Sequence, residues 1–361
     1  MIHDLKDEKA LGIHGQPVSS ESVPGLASIV VVNWNGLDFI RDCIQSVRKQ
    51  TYAPRELVVV DNGSTDGSRE WLRANASSAY RLIEFEVNTG FACGVNAGIR
   101  ASSGEFIALL NHDAVAEERW LERLIDAARD PAVGMVASKI LFHDRRDVID
   151  KAGHLLFPDG LNRGRGAGEA DRGQFDADRE TLFPDGCAAL YRRRMFDDVG
   201  LFDEQFFAYG DDAEIGLRAR WRGWLCAYAP LARVFHRHSS SLGKYSPVKA
   251  FLVERNRLWV AVKLLPWPAL ALSPAFTLWR FFWHACSLWG RRGLAGGVAR
   301  EHNAASLLAA LCRAYISGML GLGPILRKRR AILGRRRLTN AEFLGLMRKH
   351  RISARELAIR D

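Results

Sequence analysis

Short apolar runs, each ended by a polar turn-forming cluster, recur along the first third of the chain. Ser28-Ile29-Val30-Val31-Val32 stops at Asn33-Trp34-Asn35-Gly36, and Leu57-Val58-Val59-Val60 stops at Asp61-Asn62-Gly63-Ser64. Unbroken apolar runs suit strands buried on both faces, as parallel sheets require. Leu37, Ile40, Ile44 and Val47 follow the first run at helical spacing. Further strands are predicted at residues 81–85 and 106–110, followed by helices at 91–101 and 117–129. This alternation predicts an α/β fold on a doubly wound sheet. Residues 140–182 are rich in Gly, Arg and Asp and weakly periodic, so an irregular insertion is expected there, a mobile flap or part of an acceptor cleft. Order is expected to resume at 183–191, with helices at 193–199 and 211–222.

The polar clusters fall at strand carboxyl ends, where open α/β sheets bind ligands. Trp34, Asp61, Asn88 and Asp113 all occupy such positions, although Asn, Asp and Gly are also ordinary turn formers. Asp113, with Asn111 two residues earlier, offers the oxygen ligands that magnesium or manganese shares with substrate phosphates. The same pair is compatible with plain turn chemistry. Asp211-Asp212 follows Phe206-Phe207-Ala208-Tyr209-Gly210. Adjacent, partly desolvated carboxylates repel and make a usable general base, while Asp at a helix start is also a favoured cap. His236-Arg237-His238 is a candidate metal-ligand pair, or a strand segment facing two environments.

Composition narrows the class. With 48% apolar and 25% charged residues and no repeat, the chain is globular. The first 25 residues are polar and lack the apolar stretch of a signal peptide, so a cytoplasmic location is expected. The six cysteines form no Cys-x-x-Cys pair, which favours reduced thiols over disulfides or structural zinc. Charge is uneven: residues 244–361 carry 22 Lys and Arg against 5 Asp and Glu, a net +17, leaving −7 on the remainder. A basic tail on an acidic body points to a polyanion partner, nucleic acid or an anionic membrane surface.

Within that tail, residues 264–279 are uncharged but interrupted by Pro266, Pro268 and Pro274, too short for a span of about 20 apolar residues. Trp259, Trp267, Trp279, Trp283 and Trp289 suit a membrane interface. Arg327-Lys328-Arg329-Arg330 and Arg335-Arg336-Arg337 add a polybasic patch. The alternative is a helical subdomain packed on the body with solvated basic faces. No nucleic-acid motif is present, so nucleic acid is not expected as a partner.

The ordered blocks resemble the family 2 glycosyltransferases. The first is Ser28 to Gly36, the second Leu57-Val58-Val59-Val60-Asp61-Asn62-Gly63-Ser64-Thr65-Asp66-Gly67-Ser68. Asn88-Thr89-Gly90-Phe91 through Gly98 and Leu110-Asn111-His112-Asp113 are similar to the next two. Asp185-Gly186-Cys187 through Glu204, Phe207 through Arg218, and Val234-Phe235-His236-Arg237-His238 resemble the acceptor-side and late histidine blocks. The resemblance covers about residues 27–262 and is nearest the rhamnosyltransferase-like branch.

It implies a GT-A fold and an inverting transfer from a UDP- or dTDP-sugar to a hydroxyl on a lipid-linked or cell-surface glycan. By this resemblance Val32, Trp34, Asn35 and Asp61 line the nucleoside site, with Asn88, Gly90, Asn96 and Asn111 alongside. Asp113 holds the divalent metal, magnesium or manganese, and His236 completes its shell. Asp212 is the general base with Asp211 its neighbour, and Gly186 and Cys187 lie on the acceptor or donor-sugar side. Two departures stand out. Asn111 replaces the first carboxylate of the family's Asp-x-Asp, and Gly210-Asp211-Asp212 replaces its Trp-Glu-Asp.

The expected organisation is a flexible segment at 1–26, a catalytic domain at 27–246 divided near residue 115, and a basic helical, membrane-associating region at 247–361. The enzyme is then peripheral on the cytoplasmic membrane face. Three other classes share features with the chain. A NAD-dependent oxidoreductase would need Gly-x-Gly-x-x-Gly after the first strand, which is missing. A nucleotidyltransferase would need a Gly-rich, Arg-bearing loop there. A basic nucleic-acid-binding protein would rest on the tail alone.

Overall fold

The computed structural model describes residues 22–76, 79–238, 246–289 and 304–359. The flexible segment expected at 1–26 lies mostly outside the described residues, and the first strand already begins at Val23. Strands β1 (Val23–Asn33), β2 (Arg55–Asn62), β3 (Arg81–Phe85) and β4 (Gly104–Leu110) alternate with helices α1 (Leu37–Arg48), α2 (Ser68–Asn75) and α3 (Phe91–Ala101). Then come β5 (Ala114–Ala116), α4 (Trp120–Ala127), β6 (Val133–Phe142) and the short strands β7 (Ile149–Lys151), β8 (His154–Leu156) and β9 (Asn162–Gly164). Strand β10 (Ala188–Arg192), α5 (Arg193–Val199), α6 (Asp211–Trp221) and β11 (Leu225–His236) complete the α/β body.

The sheet runs β3-β2-β1-β4-β10-β6-β11-β5, with β7 paired to β6. Its first four strands are parallel, as the apolar runs require, whereas β10 is antiparallel to both β4 and β6. The sheet is therefore mixed rather than uniformly parallel. Alternate side chains of β1 serve two cores: Ile29 and Val31 pack under α1, α2 and α4, while Val30 and Val32 pack under α3, α5 and α6. Burial on both faces accounts for the continuous apolar pattern.

The stretch at 140–182 departs from expectation. It begins as the buried end of β6 and carries three short strands, with Leu156, Phe157 and Leu182 at most 1% exposed. Ion pairs of Lys139 in β6 with Asp171 and Asp176 pin one of its loops to the body, and Arg165 with Asp178 ties the stretch to itself. Three-residue strands are too short to leave a period in the sequence, which is why the segment read as irregular.

Beyond residue 246 come α7 (Pro247–Leu264), α8 (Trp267–Trp289), α9 (Ala304–Leu320), α10 (Leu322–Gly334), α11 (Asn340–Lys349) and α12 (Ala354–Ile359). A third apolar core joins Phe206, Leu217 and Trp221 of the body to Trp259 and Leu264 of α7, Ile325 of α10 and Phe343 of α11. The Trp221 and Phe343 rings stack at 3.9 Å. Trp259, expected at a membrane interface, is instead 7% exposed within this core. Of the prolines expected to interrupt the apolar stretch, Pro266 separates α7 from α8, and Pro274 is accommodated inside α8.

Candidate active site

The sheet's carboxyl edge gathers the polar clusters. Asp61, fully buried at the end of β2, accepts from Asn33 Nδ2 at 3.0 Å, Ser64 N at 3.0 Å and Arg69 Nε at 3.2 Å. Its carboxylate thus shapes the loop that Asn33 ties to Ser64 and Ser68. Asn35, at φ 49°, receives Thr65 N on its Oδ1, while Trp34 stands half-buried beside it. Val32 points its side chain into the core under α3, and its carbonyl lies 3.2 Å from His112 Nδ1. Asn88 Oδ1 accepts from Asn62 Nδ2 and Gly90 N, joining the loops after β2 and β3.

Gly90 has φ 90°, and a Cβ there would fall 2.5 Å from the carbonyl oxygen of Phe207, which receives Phe91 N. Only glycine permits this approach between the loops opening α3 and α6. Asn96, expected beside the nucleotide, has its carboxamide committed elsewhere. It donates to Phe202 O and Glu204 Oε1 and accepts from Phe202 N, so it positions the 202–206 loop.

Asp113 and His236 come together as expected. Pairing of β11 with β5 sets His236 opposite Ala114, and His236 Nε2 lies 3.3 Å from Asp113 Oδ1. His236 Nδ1 meets Asp150 Oδ2 at 2.9 Å, and His238 Nε2 meets the same oxygen at 2.9 Å. The two imidazoles, 4.1 Å apart, therefore share one carboxylate rather than facing two environments. Burial disfavours a charged His236, but the Cys187 sulfur and the Asp113 and Asp150 carboxylates outweigh it and raise its pKa well above the ordinary value. Burial likewise opposes ionisation of Asp150, yet Lys151 and the two histidines hold its pKa well below the usual range. Ligand atoms of Asp150, His236 and His238 lie within 4.8 Å of one another, close enough to share one ion. Asp113 joins this group through His236. Asn111 adjoins it by backbone, its N–H donating to Cys187 O at 2.8 Å.

A second cluster continues the first. Lys151, next to Asp150 in β7, pairs with Asp185 Oδ2 at 2.7 Å, and His154 Nε2 reaches the same oxygen at 2.9 Å. His154 Nε2 is also 3.7 Å from Asp212 Oδ2, and its ring stacks on Phe183 at 4.9 Å. Asp185 Oδ1 accepts Cys187 N, while Gly186 packs against the Phe91 ring. The groups form one row: Asp113, His236, Asp150, Lys151, Asp185, His154, Asp212.

Side-chain capping does not account for the paired carboxylates. The N-cap of α6 is Gly210, without a side-chain cap. Asp212 Oδ1 accepts only the adjacent Ala213 N, at 2.7 Å, and buried Asp211 Oδ2 has no hydrogen-bond partner. Burial, then Asp212, raises the Asp211 pKa well above its ordinary value. Burial and Asp185 raise that of Asp212, against the opposing pull of His154 and Lys151. Asp150, Lys151, His154 and Asp185 were not singled out as site groups in the sequence. All four flank or lie within the weakly periodic stretch, and the quoted Asp185-Gly186-Cys187 block was their one signal.

Residues 28–200 match the sequence model described as Glycosyl transferase family 2. The chain is 26% identical over 264 residues to the N-acetylglucosaminyl-diphospho-decaprenol L-rhamnosyltransferase of Mycobacterium tuberculosis, covering 64% of this chain and 85% of that protein. It is 28% identical over 229 residues to the O-antigen biosynthesis protein RfbC of Myxococcus xanthus, 59% of this chain and 17% of that one. The chain spans a quarter or less of two of the curated relatives it matches. Among solved structures, the mannosyltransferase PcManGT of Pyrobaculum calidifontis, in complex with GDP-Man and Mn2+, has a TM-score of 0.50 at 19% identity, covering 90% and 86% of the two chains. The mixed α/β sheet with polar clusters along its carboxyl edge is that of a GT-A fold, and residues 28–200 carry a glycosyl transferase family 2 domain similar to that of the mycobacterial rhamnosyltransferase.

Proposed function

We propose that this protein is an inverting glycosyltransferase that uses a nucleotide diphosphate sugar, a divalent ion and Asp212 as general base. The observation that carries the reading is the continuous row from Asp113 to Asp212. It sets a cation-binding group at one end and a carboxylate of raised pKa at the other. The donor set fits a metal: a carboxylate shared by two imidazoles, with Asp113 adjoining, suits manganese better than magnesium, which takes oxygen ligands. Asp113, Asp150, His236 and His238 would hold the ion, which when bound neutralises charge on the departing diphosphate.

The chain's own groups supply the rest. The loops after β1, β2 and β3 form the nucleoside end of the cleft, with Trp34 at its mouth. At the far end Asp212 takes the proton from the acceptor hydroxyl as that oxygen attacks the anomeric carbon on the face opposite the diphosphate. His154 and Asp185 hold the neighbouring charges fixed. Attack from the opposite face inverts the anomeric centre. Similarity to the mycobacterial N-acetylglucosaminyl-diphospho-decaprenol L-rhamnosyltransferase supports rhamnose as the sugar and a lipid-linked diphosphate sugar as the acceptor. The test is a panel of UDP- and dTDP-sugars with manganese and a polyprenyl-diphosphate sugar, scored by nucleoside diphosphate release and by the product's anomeric configuration. A retained configuration, or no release with any donor, overturns the reading.

A further inference from the structure

We infer that the outer faces of α8 and α9 form a docking surface for an anionic lipid bilayer. This goes beyond the transferase reading and uses none of its residues. Both helices have an inverted pattern. On α8 the inward stripe is polar: Ser273, Thr277, Arg280 and Ser287 are all under a tenth exposed. The outward side carries Leu278 at 71%, Trp279 at 51% and Phe282 at 54% exposure. On α9 the inward side consists of small residues, Ala310, Ala314 and Gly318, the last placed so that a Cβ would meet Leu258 at 2.7 Å. Its outward side carries Leu308 at 64%, Ile316 at 54% and Leu320 at 82%. A helix packed on a body and facing water shows the reverse assignment.

The inversion is fixed by built contacts. Thr277 Oγ1 and Arg280 Nε both donate to Asp159 Oδ2, at 3.2 and 2.8 Å, and Arg280 Nη1 pairs with Glu254 of α7 at 2.8 Å. Arg257 of α7 donates to Asp159 O at 2.8 Å and to Tyr315 Oη of α9 at 3.0 Å. The polar side of α8 and the Tyr315 hydroxyl of α9 thus meet one buried network, and α8 cannot rotate its apolar face inward without unpairing charges there. A large apolar patch left outside marks an interaction surface.

Charge selects the occupant. Helices α8, α9 and α10 contain no Asp or Glu, while Arg313, Arg327 and Arg330 are exposed, followed by exposed Arg335, Arg336 and Arg337. A second copy would bring like charges together, and a nucleic acid offers little apolar surface to these leucines. An anionic bilayer satisfies both features. Among the described residues no single helix is long and apolar enough to cross a membrane, although α9 and α10 together, bent by 58°, pass the same test of length and composition. The contacts of Thr277, Arg280 and Tyr315 to the body hold α8 and α9 with their apolar sides along the surface. Stacked Trp279 and Phe282, ring centroids 5.5 Å apart, then sit at headgroup depth.

The test is flotation of the full chain with vesicles of phosphatidylcholine alone or mixed with phosphatidylglycerol. Binding to the mixed vesicles is expected, weakened by salt. Leu278→Glu and, on the other helix, Ile316→Glu should each lower the partition coefficient at least ~10-fold, with melting temperature unchanged because both positions are exposed. Arg327→Glu with Arg330→Glu should abolish the preference for phosphatidylglycerol. No flotation with either vesicle overturns the proposal. So does a concentration-dependent dimer, in place of flotation, that Leu278→Glu dissociates, or salt-sensitive binding to duplex DNA without flotation.

Discussion

The Nε2 atom of His154 stands 3.7 Å from Asp212 Oδ2, held there by stacking on Phe183 and by its 2.9 Å contact with Asp185. In that position the imidazole stabilises ionised Asp212, while burial and Asp185 act against it. A carboxylate that loses a neighbour favouring its ionised form keeps its proton to higher pH. His154→Gln is therefore expected to move the acid limb of the kcat–pH profile to higher pH, with the donor KM unchanged. An unmoved limb would make His154 a packing residue only.

Asp212 itself separates chemistry from capping. A general base contributes typically ~10²–10⁴-fold to rate, whereas a lost cap costs about 1 kcal/mol of stability. Asp212→Asn preserves an acceptor for Ala213 N but removes basicity. Transfer should fall at least ~100-fold with melting temperature and donor affinity near normal. Asp211→Asn should cost less, and the opposite ranking would assign the base to Asp211.

Asp211 carries a pH signature of its own. Its pKa in the folded protein is raised well above the ordinary carboxyl value, by burial and by Asp212. The folded state holds the proton more tightly than the unfolded chain, so stability falls as pH rises from the ordinary carboxyl value through the folded one. Asp211→Asn removes that penalty. The variant should melt above wild type at neutral pH and converge with it below about pH 4. A gap of constant size across this range would show that the carboxylate is not the cause.

For the metal, calorimetry with manganese and a nucleoside diphosphate is the direct measure. Asp113→Ala should weaken the combined binding at least ~10-fold. His236→Ala should in addition destabilise the fold, because it leaves the buried Asp113 and Asp150 carboxylates without the imidazole between them. Full transfer activity in excess chelator would refute a metal role for this cluster.

Legibility in the sequence followed burial. Asp61 and Asp113 could be found because each ends a run of residues buried on both faces, where any polar side chain stands out. The helix Leu37–Arg48 was legible by its own period: Ile40, Cys43, Ile44 and Val47 form one buried stripe. Asp150 and His154 were hidden because three-residue strands have no period to interrupt. Helix α7 concealed its role differently. Glu254, Arg255, Asn256, Arg257 and Lys263 are all buried, and beside the local Glu254–Arg257 pair their partners Asp159, Asp203, Phe206 and Arg280 lie on remote segments that no local pattern reveals. Trp259 and Trp279 look alike in sequence; only tertiary packing separates the core residue from the exposed one.

Asn256 sets the last expectation, and with it the extent of the catalytic unit. Its Nδ2 lies 2.9, 2.8 and 2.7 Å from the carbonyl oxygens of Phe206, Ala208 and Tyr209. That loop places Phe207 at φ 64° and Tyr209 at φ 66°, conformations that cost of order 1–3 kcal/mol each in a non-glycine residue and persist only when surrounding contacts enforce them. The same loop leads directly into Asp211 and Asp212. Phe206 O keeps Arg255 Nη2 and Ala208 N as donors, but Asn256→Ala leaves the part-buried carbonyls of Ala208 and Tyr209 without theirs, a loss of about 1 kcal/mol, and frees the loop that aims the base. Transfer should therefore drop more than donor affinity, because the hydrogen bonds of Asn256 go to the 206–209 loop and to Arg255 and not to the Asp61 loop. Ending the chain at Ser246 goes further, since it also strips Trp259 and Leu264 from the third core. That fragment is expected to be insoluble or unfolded, although every block quoted for the nucleotide site precedes its end. A soluble 1–246 chain that melts cooperatively and binds nucleoside diphosphate with wild-type affinity would show that α7 is an appendage and not part of the catalytic body.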